Sequence, residues 1–327
     1  MLTRVQIKDF RCLRDVDVPL KPLTVLIGPN NTGKSAFLSA LQMLGTVPTH
    51  GETEFKIKKS DLWGFDTAVA PRIVGTLRSN SAVVVQRGNM KEPLDTGPFW
   101  IRKGDNDSLT PINYFCGSAM VPAMTSKGAQ GIPEINDKAS NVPAVLDALL
   151  RKDRHRFDKI VDILRSCIPG LKNLGIETPS AEGRRIDLVL EDGMMMEAEL
   201  ASHGVKLMIF FVVLANHPKP PKTILIEEPE TGVHPKRLDN IVKLLRGLLE
   251  GTYADYQSQV IISTHSPYLL DYIDPEKDQV LVFEQHPDGS RNARPVDTER
   301  LKMFRDEFML GEIWYSQEEA GLVEKSS

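Results

Sequence analysis

Cysteine is scarce and scattered. Cys12, Cys116 and Cys167 are the three in 327 residues, and no C-x-x-C pair occurs, so neither a zinc site nor a disulfide framework is indicated. Buried, reduced thiols are the expectation. Long apolar runs are also missing: the strongest, residues 207–215, stops at His217 and Pro218, well short of the ~20 residues a membrane span needs. It is expected to be a buried helix. The opening MLTRVQIKDF carries Arg4, Lys8 and Asp9 where a secretory leader would be apolar, so a cytoplasmic protein without membrane contact is expected. No basic excess exists either, since 40 Lys and Arg face 44 Asp and Glu for a net charge of −4. That excludes a broadly basic surface built for duplex DNA but not a local basic groove. There is no internal repeat, no heptad run fit for a coiled coil, and no G-x-S-x-G elbow. With 41% hydrophobic and 26% charged residues, the chain has the composition of a soluble globular protein.

Residues 1–27 read as strands: Leu2 to Phe10 alternates, Arg11 to Asp17 forms a charged turn, and Leu23 to Ile27 is a short buried run ending at Gly28. From Ser35 onward, Phe37, Leu38, Leu41 and Leu44 have the spacing of a helix with one buried face. Residues 46–135, rich in Pro, Gly, Thr, Asp and Asn, read as an irregular and mostly antiparallel portion with short β runs at 83–85 and 99–101. Helical spacing returns over 141–167 and closes at Pro169-Gly170, and 184–200 reads as a hairpin around Glu191-Asp192-Gly193. The last third alternates: helix 203–215, strand 222–227, helix 235–249, strand 259–263, helix 266–272, strand 279–284. Such alternation implies a parallel sheet covered by helices.

The chemistry gathers in three places. Gly28-Pro29-Asn30-Asn31-Thr32-Gly33-Lys34-Ser35 fits G-x-x-x-x-G-K-S between a strand and a helix. In that setting backbone N–H groups and the helix N-terminus, here including Ala36, surround phosphate oxygens. Lys34 would reach the terminal phosphates and Ser35 would bind Mg²⁺; the bland alternative is a glycine turn. Next, Thr223-Ile-Leu-Ile-Glu227-Glu228 is an apolar strand ending in two acids that alternation turns to opposite faces. Glu227 would support the magnesium, and Glu228 would orient or deprotonate an attacking water. Alone, such a strand end is usually just solvated. Third, Val260-Ile-Ile-Ser-Thr-His265 is a second apolar strand with a histidine at its tip. Ligands of open parallel sheets collect at the carboxyl ends of strands, where His265 could hydrogen-bond a γ-phosphate.

These residues resemble the ABC-type ATPases of the SMC, RecF and overcoming-lysogenization-defect group, often classed as AAA-family ATPases. The resemblance runs from IKDFRCLRDVDVPLKPLTVLIGPNNTGKS through LIEEPETGVHP to ISTHSPYLL. The segments NVPAVLDALLRKDRHRFDKIVDILRSCIPGL and FMLGEIWYSQEE look like the subset found in bacterial antiphage and nuclease-associated ATPases. It implies an α/β fold: a mixed or parallel sheet flanked by helices, with an antiparallel β portion and a helical subdomain. The implied organisation is a single ABC-type domain over 1–327, with 1–45 and 200–290 as nucleotide core, 46–135 as β-rich insertion, 136–199 as helical and signature lobe, and 291–327 as tail. The resemblance also implies ATP and Mg²⁺ as ligands and a signature motif at Ser202, His203 and Gly204, which in this group caps the γ-phosphate of a second copy in a head-to-tail homodimer. An ordinary helix cap is the plainer reading of 202–204. The sequence departs from the group in having Glu227 where many relatives place Asp, and A-S-H-G in place of serine-glycine-glycine. Gln86 is the nearest candidate for a Q-loop glutamine.

The leading expectation is an ATPase switch. ATP would close a homodimer or higher oligomer that holds or releases an effector, a nuclease or toxin encoded nearby, in bacterial antiphage defence. With about 60 residues following His265 in this sequence, no C-terminal Toprim nuclease domain is expected. The alternative is a RecF-like DNA repair or clamp ATPase, with Arg151 to Arg156 and Lys56, Lys58 and Lys59 as candidate DNA contacts; a charge run is more often a solvated helix face. A scaffold that binds ATP but barely hydrolyses it is a third reading. A metal hydrolase built on His203, His234, His265 and Glu227 matches no ligand spacing and leaves the glycine loop unexplained.

Overall fold

The computed structural model describes residues 1–45, 71–79, 82–87, 99–103, 112–116, 122–252, 254, 256–299, 309–317 and 322. In chain order, β1 (Leu2–Phe10), β2 (Leu13–Pro19) and β3 (Leu23–Ile27) lead into α1 (Lys34–Gly45), followed by β4 (Arg72–Leu77), β5 (Ala82–Arg87), β6 (Phe99–Lys103), β7 (Ile112–Cys116) and β8 (Thr125–Lys127). Then come α2 (Val142–Lys152), α3 (Arg154–Cys167), β9 (Leu171–Glu177), β10 (Gly183–Leu190), β11 (Met195–Glu197) and α4 (His203–Ala215). The last third holds β12 (Thr223–Glu227), α5 (Leu238–Glu250), β13 (Gln259–Ser263), α6 (Pro267–Leu270), β14 (Gln279–Gln285), β15 (Arg291–Pro295) and α7 (Leu310–Gln317). By internal contacts the chain divides into two compact units: Met1–Tyr114, Lys222–Glu227 and Gln259–Ser327 form one, Phe115–Pro221 and Glu228–Ser258 the other.

The first unit is organised by an 11-stranded sheet of order β6-β5-β4-β1-β2-β15-β14-β3-β13-β12-β7. Its centre, β14-β3-β13-β12, is parallel, and the wing from β6 to β2 is antiparallel. Every residue of β3 and β13, and all of β12 up to Ile226, is buried, which is why these segments read as unbroken apolar runs. The helix α1 buries Phe37, Leu38, Leu41 and Leu44, and Phe37 meets Phe283 of β14 edge-on with ring centroids 5.4 Å apart. One expectation changes here. The charged turn expected over 11–17 is only Arg11 and Cys12, because Leu13, Val16 and Val18 are buried and pair back along β1 from Phe10↔Leu13. The charges of β2 simply occupy its open face. The helix expected over 266–272 is likewise confined to Pro267–Leu270.

The second unit joins a four-stranded antiparallel sheet, β11-β10-β8 with β9 on β10, to helices α2 to α5. The helical stretch of 141–167 is two helices because Asp153 leaves helical geometry at φ −142 and its carboxylate accepts the Arg156 N–H at 3.2 Å. An aspartate placed this way competes with the helix interior and starts a new one. The apolar run 207–215 is the buried part of α4, and among the described residues no helix is long and apolar enough to cross a membrane. Beyond α4, His217 is 1% exposed. Its Nδ1 accepts the Lys219 N–H at 3.0 Å, so the ring proton sits on Nε2 and is donated to the Pro133 carbonyl, also at 3.0 Å.

Burial pushes the His217 imidazole below its ordinary value, opposed by the hydrogen bond to Pro133. The unfolded chain therefore takes up a proton that the folded chain refuses. The stability this ring contributes is complete above about pH 6.5, the unfolded value, and is lost as pH falls toward the lowered folded value. Denaturant unfolding at pH 7.5 and 5.5 is expected to show a smaller acid loss in His217→Gln than in the parent chain. An equal loss in both would mean the ring is not the group responsible.

Candidate active site

The loop after β3 is shaped by glycines that nothing else could replace. Gly28 has φ +136 and Gly33 φ +102. A Cβ on Gly28 would collide with the Phe283 carbonyl oxygen, and one on Gly33 would lie 2.8 Å from Leu13 Cδ2 and 3.2 Å from Cys12 Sγ. Both positions combine a left-handed backbone with a close approach. Pro29, Asn30 and Asn31 are exposed while Thr32 and Lys34 turn inward; the Thr32 hydroxyl donates to the Pro29 carbonyl at 2.8 Å. Lys34 Nζ donates to the carbonyls of Gly28 and Pro29, each at 2.8 Å, and Arg291 Nε braces the Asn31 carbonyl at 3.0 Å. Burial pushes the Cys12 thiol up, with Arg291 opposing, so beneath the loop Cys12 acts as a protonated packing group. Ala36 is buried and Ser35 exposed in the first turn of α1, where helix N–H groups lack partners within the helix and the dipole favours an anion.

The neighbouring strands end beside it. Parallel pairing aligns Leu26 of β3 with Ser263 of β13 and Ser263 with Glu227 of β12. Adjacent residues in such a row share a face, here the face on which Leu26 packs with α1. Ser35 Oγ donates to Glu227 Oε1, and Tyr114 of β7, the strand bordering β12, donates its hydroxyl to Oε2 at 2.5 Å. The Ser263 hydroxyl is buried and makes no hydrogen bond among the described residues. The Thr264 N–H donates to the Leu26 carbonyl at 3.0 Å, which sets His265 at the same carboxyl edge. A serine hydroxyl, one carboxylate and an unsatisfied serine beside it form an oxygen-only set suited to Mg²⁺, a cation that takes one or two protein oxygens and completes its shell with phosphate and water. Among the described residues no group of three His, Cys, Asp or Glu could hold a metal. His203 and His234 belong to the second unit, His265 and Glu227 to the first.

At Glu228 the chain leaves the extended conformation, with φ +50, so strand alternation no longer sets its direction. Its Oε2 accepts from the Thr231 hydroxyl at 3.2 Å, and its carbonyl from the Thr231 N–H at 3.1 Å. A left-handed non-glycine residue is strain of the kind that functional sites retain. Ser202 caps α4, its hydroxyl accepting the Val205 N–H at 3.4 Å. A Cβ on Gly204 would come within 2.5 Å of the Gly232 carbonyl oxygen, and one on Gly232 within 2.6 Å of the His203 ring. The helix start and the turn after Glu230 are thus pressed together, and with His234, Lys236 and Arg237 they line a cleft of about 480 Å³. His234 also caps its own turn, its Nδ1 accepting the Lys236 N–H.

The basic run of 151–156 is paired locally: Arg151 with Asp147, Arg154 with Asp158, Arg156 with Asp153. Lys56, Lys58 and Lys59 lie outside the described residues. Gln86 sits on β5 in the antiparallel wing, in register with Arg72 and Trp100. Sequence reasoning missed Tyr114 and Ser263. The short apolar run around Tyr114 was a detectable strand signal, but nothing local said which strand it would border.

Two family models match the chain. One, described as "AAA ATPase domain", covers residues 1–73, and one described as "AAA domain, putative AbiEii toxin, Type IV TA system" covers residues 117–271. The OLD nuclease of Thermus scotoductus is 25% identical over 329 residues, taking in 83% of this chain and 60% of that protein. The chain therefore spans about three-fifths of that relative's length. Among solved structures, an SMC head bound to the C-winged-helix domain of ScpA aligns with TM-score 0.61 at 14% identity, over 92% of this chain and 99% of that one. The SMC head domain from Thermotoga maritima aligns with TM-score 0.53 at 14% identity over 91% and 99%. An SMC head with an extended coiled coil, bound to the C-terminal domain of ScpA derived from Pyrococcus furiosus, gives 0.60 at 14% over 94% and 98%. Fold and matches together define a P-loop ATPase domain with the SMC-head architecture. The AAA domain matches, the OLD nuclease relative and the SMC-head fold are together consistent with the ABC-type ATPases of the SMC, RecF and overcoming-lysogenization-defect group that the motifs resemble.

Gly28→Ala is expected to cost roughly 1–3 kcal/mol of stability through its backbone conformation, and more through the clash with Phe283, measured by denaturant titration. Parent-like stability would show that the loop relaxes at no cost.

Proposed function

We propose that this chain binds and hydrolyses ATP on residues 28–36, and that ATP joins two copies head to tail into a switch acting on a separate effector. The observation that carries this reading is the shared carboxyl edge of β3, β13 and β12, where Lys34, the Ser35–Glu227 pair and His265 collect. For phosphate to enter, Lys34 must exchange the Gly28 and Pro29 carbonyls for phosphate oxygens, a trade of neutral acceptors for charged ones that favours the ligand. Gly28, Asn30, Asn31, Thr32 and Gly33 wrap the phosphates with backbone N–H groups, and Pro29, which has no N–H to give, stiffens the turn between them. Ser35 and Glu227 would hold Mg²⁺, which when bound offsets charge on the phosphate oxygens. Glu228, next in the chain, orients water for in-line attack on the γ-phosphorus and accepts its proton, while His265 hydrogen-bonds the γ-phosphate. ADP and phosphate leave.

Ser202, His203 and Gly204 supply the cap for the ATP of the other copy. The helix start they form, with Lys236 and Arg237 on the adjoining cleft wall, supports an anion site there. The close packing of Gly204 on Gly232 supports a role in which the cap and the turn after the acids move together. His203 in place of a glycine keeps its ring against Gly232. The effector, a nuclease or toxin in bacterial antiphage defence, rests on the resemblance and on the nuclease named among the relatives.

Glu228→Gln is expected to lower ATP turnover about 10²- to 10⁴-fold and to accumulate an ATP-bound dimer, read by size-exclusion chromatography with light scattering. A variant that stays monomeric with ATP and magnesium would end the switch reading. Lys34→Ala is expected to abolish turnover, and steady hydrolysis in that variant would place the chemistry elsewhere. Co-expression with the adjacent gene should recover the effector in the same complex.

A further inference from the structure

We infer that Tyr114 is a positioning residue that immobilises the long arm of Glu227 and thereby sets the affinity of the site for its divalent cation. This rests on the reading of Glu227 as the metal-supporting acid. A glutamate has one more rotatable bond than the aspartate many relatives carry at this point, so its carboxylate sweeps a wider arc and must be stopped to serve a small cation that demands regular geometry. The structure contains a stop. Ser35 takes one carboxylate oxygen and the Tyr114 phenol takes the other at 2.5 Å, a length typical of a hydroxyl donating to a charged acceptor.

Tyr114 is itself held. It lies on β7, hydrogen-bonded along β12, and its ring packs on the cluster that contains Phe37, Leu41 and Ile112. The phenol therefore reaches Glu227 from a fixed base, with both ends of the bond on adjacent strands of the sheet. An aspartate at 227 would end one methylene short and have no use for the phenol. The partner and the longer acid form one device, and removing the hydroxyl should matter only while the glutamate is present.

The test is a double-mutant cycle on the full chain: parent, Tyr114→Phe, Glu227→Asp and the double variant. Binding of Mn²⁺ is followed by electron paramagnetic resonance in the presence of a non-hydrolysed ATP analogue, with the Mg²⁺ dependence of turnover alongside. Tyr114→Phe is expected to weaken Mn²⁺ binding roughly 10- to 100-fold, the usual effect of losing a hydrogen bond to a metal ligand, while nucleotide affinity in excess chelator stays unchanged. In the Glu227→Asp background the same change should alter Mn²⁺ affinity by less than about twofold. Parent-like Mn²⁺ affinity in Tyr114→Phe, or an equal loss in both backgrounds, overturns the assignment. Should Tyr114→Phe not fold, ¹⁹F NMR of the parent chain labelled with 3-fluorotyrosine decides: one of the six tyrosine resonances must shift when Mg²⁺ is added to the nucleotide complex, and six stationary resonances overturn it. Unchanged metal and nucleotide binding in Lys34→Ala would instead overturn the nucleotide reading, whatever Tyr114 does.

Discussion

The register of three parallel strands governs this site. Because Leu26, Ser263 and Glu227 lie in one row across β3, β13 and β12, everything that follows them in the chain emerges at one edge. The glycine loop leaves from β3, the histidine from β13 and the acids from β12. A slip of one residue in β12 would turn Glu227 to the opposite face of the sheet and separate it from Ser35. The register is held by burial on both faces of these strands, where a displaced polar end would lose its partners.

Close approaches then convert that register into chemistry. Gly28 comes so near the Phe283 carbonyl that no side chain fits, which fixes where the loop departs from the sheet. Lys34 is drawn back onto the loop's own carbonyls, neutral acceptors weaker than a phosphate oxygen would be. In the second unit, Gly204 and Gly232 meet in the same fashion, tying the start of α4 to the turn beyond Glu230. At both places the absence of a Cβ permits backbone to meet backbone, and the resulting contact leaves little freedom for either segment.

The fold was readable to an uneven degree. The strands and helices of the last third fall close to where spacing puts them, because a buried parallel strand and a helix with a long apolar run leave strong local signals. Over 46–135 the short runs at 83–85 and 99–101 fall on β5 and β6 of the antiparallel wing, whereas β4 and β7, with weaker local signals, were not picked out. Arg11 to Asp17 misled because strand charges on an open face look like a turn until the partner strand is known. Asp153 divides the expected helical stretch of 141–167 into two helices through a cap that spacing alone does not reveal.

From the chain by itself came the class of chemistry: a glycine loop with Lys34 and Ser35 between strand and helix, acids closing an apolar strand, and a histidine closing another. These are local patterns, written in consecutive residues whose spacing reflects backbone geometry. The tertiary structure alone decided that Tyr114 borders Glu227, that the Ser263 hydroxyl is buried without a hydrogen-bond partner among the described residues, and that Glu228 takes a left-handed conformation. Strand order and side-chain reach cause these, and both depend on residues far apart in the chain: 113 positions separate Tyr114 from Glu227, and no local pattern records a pairing at that distance.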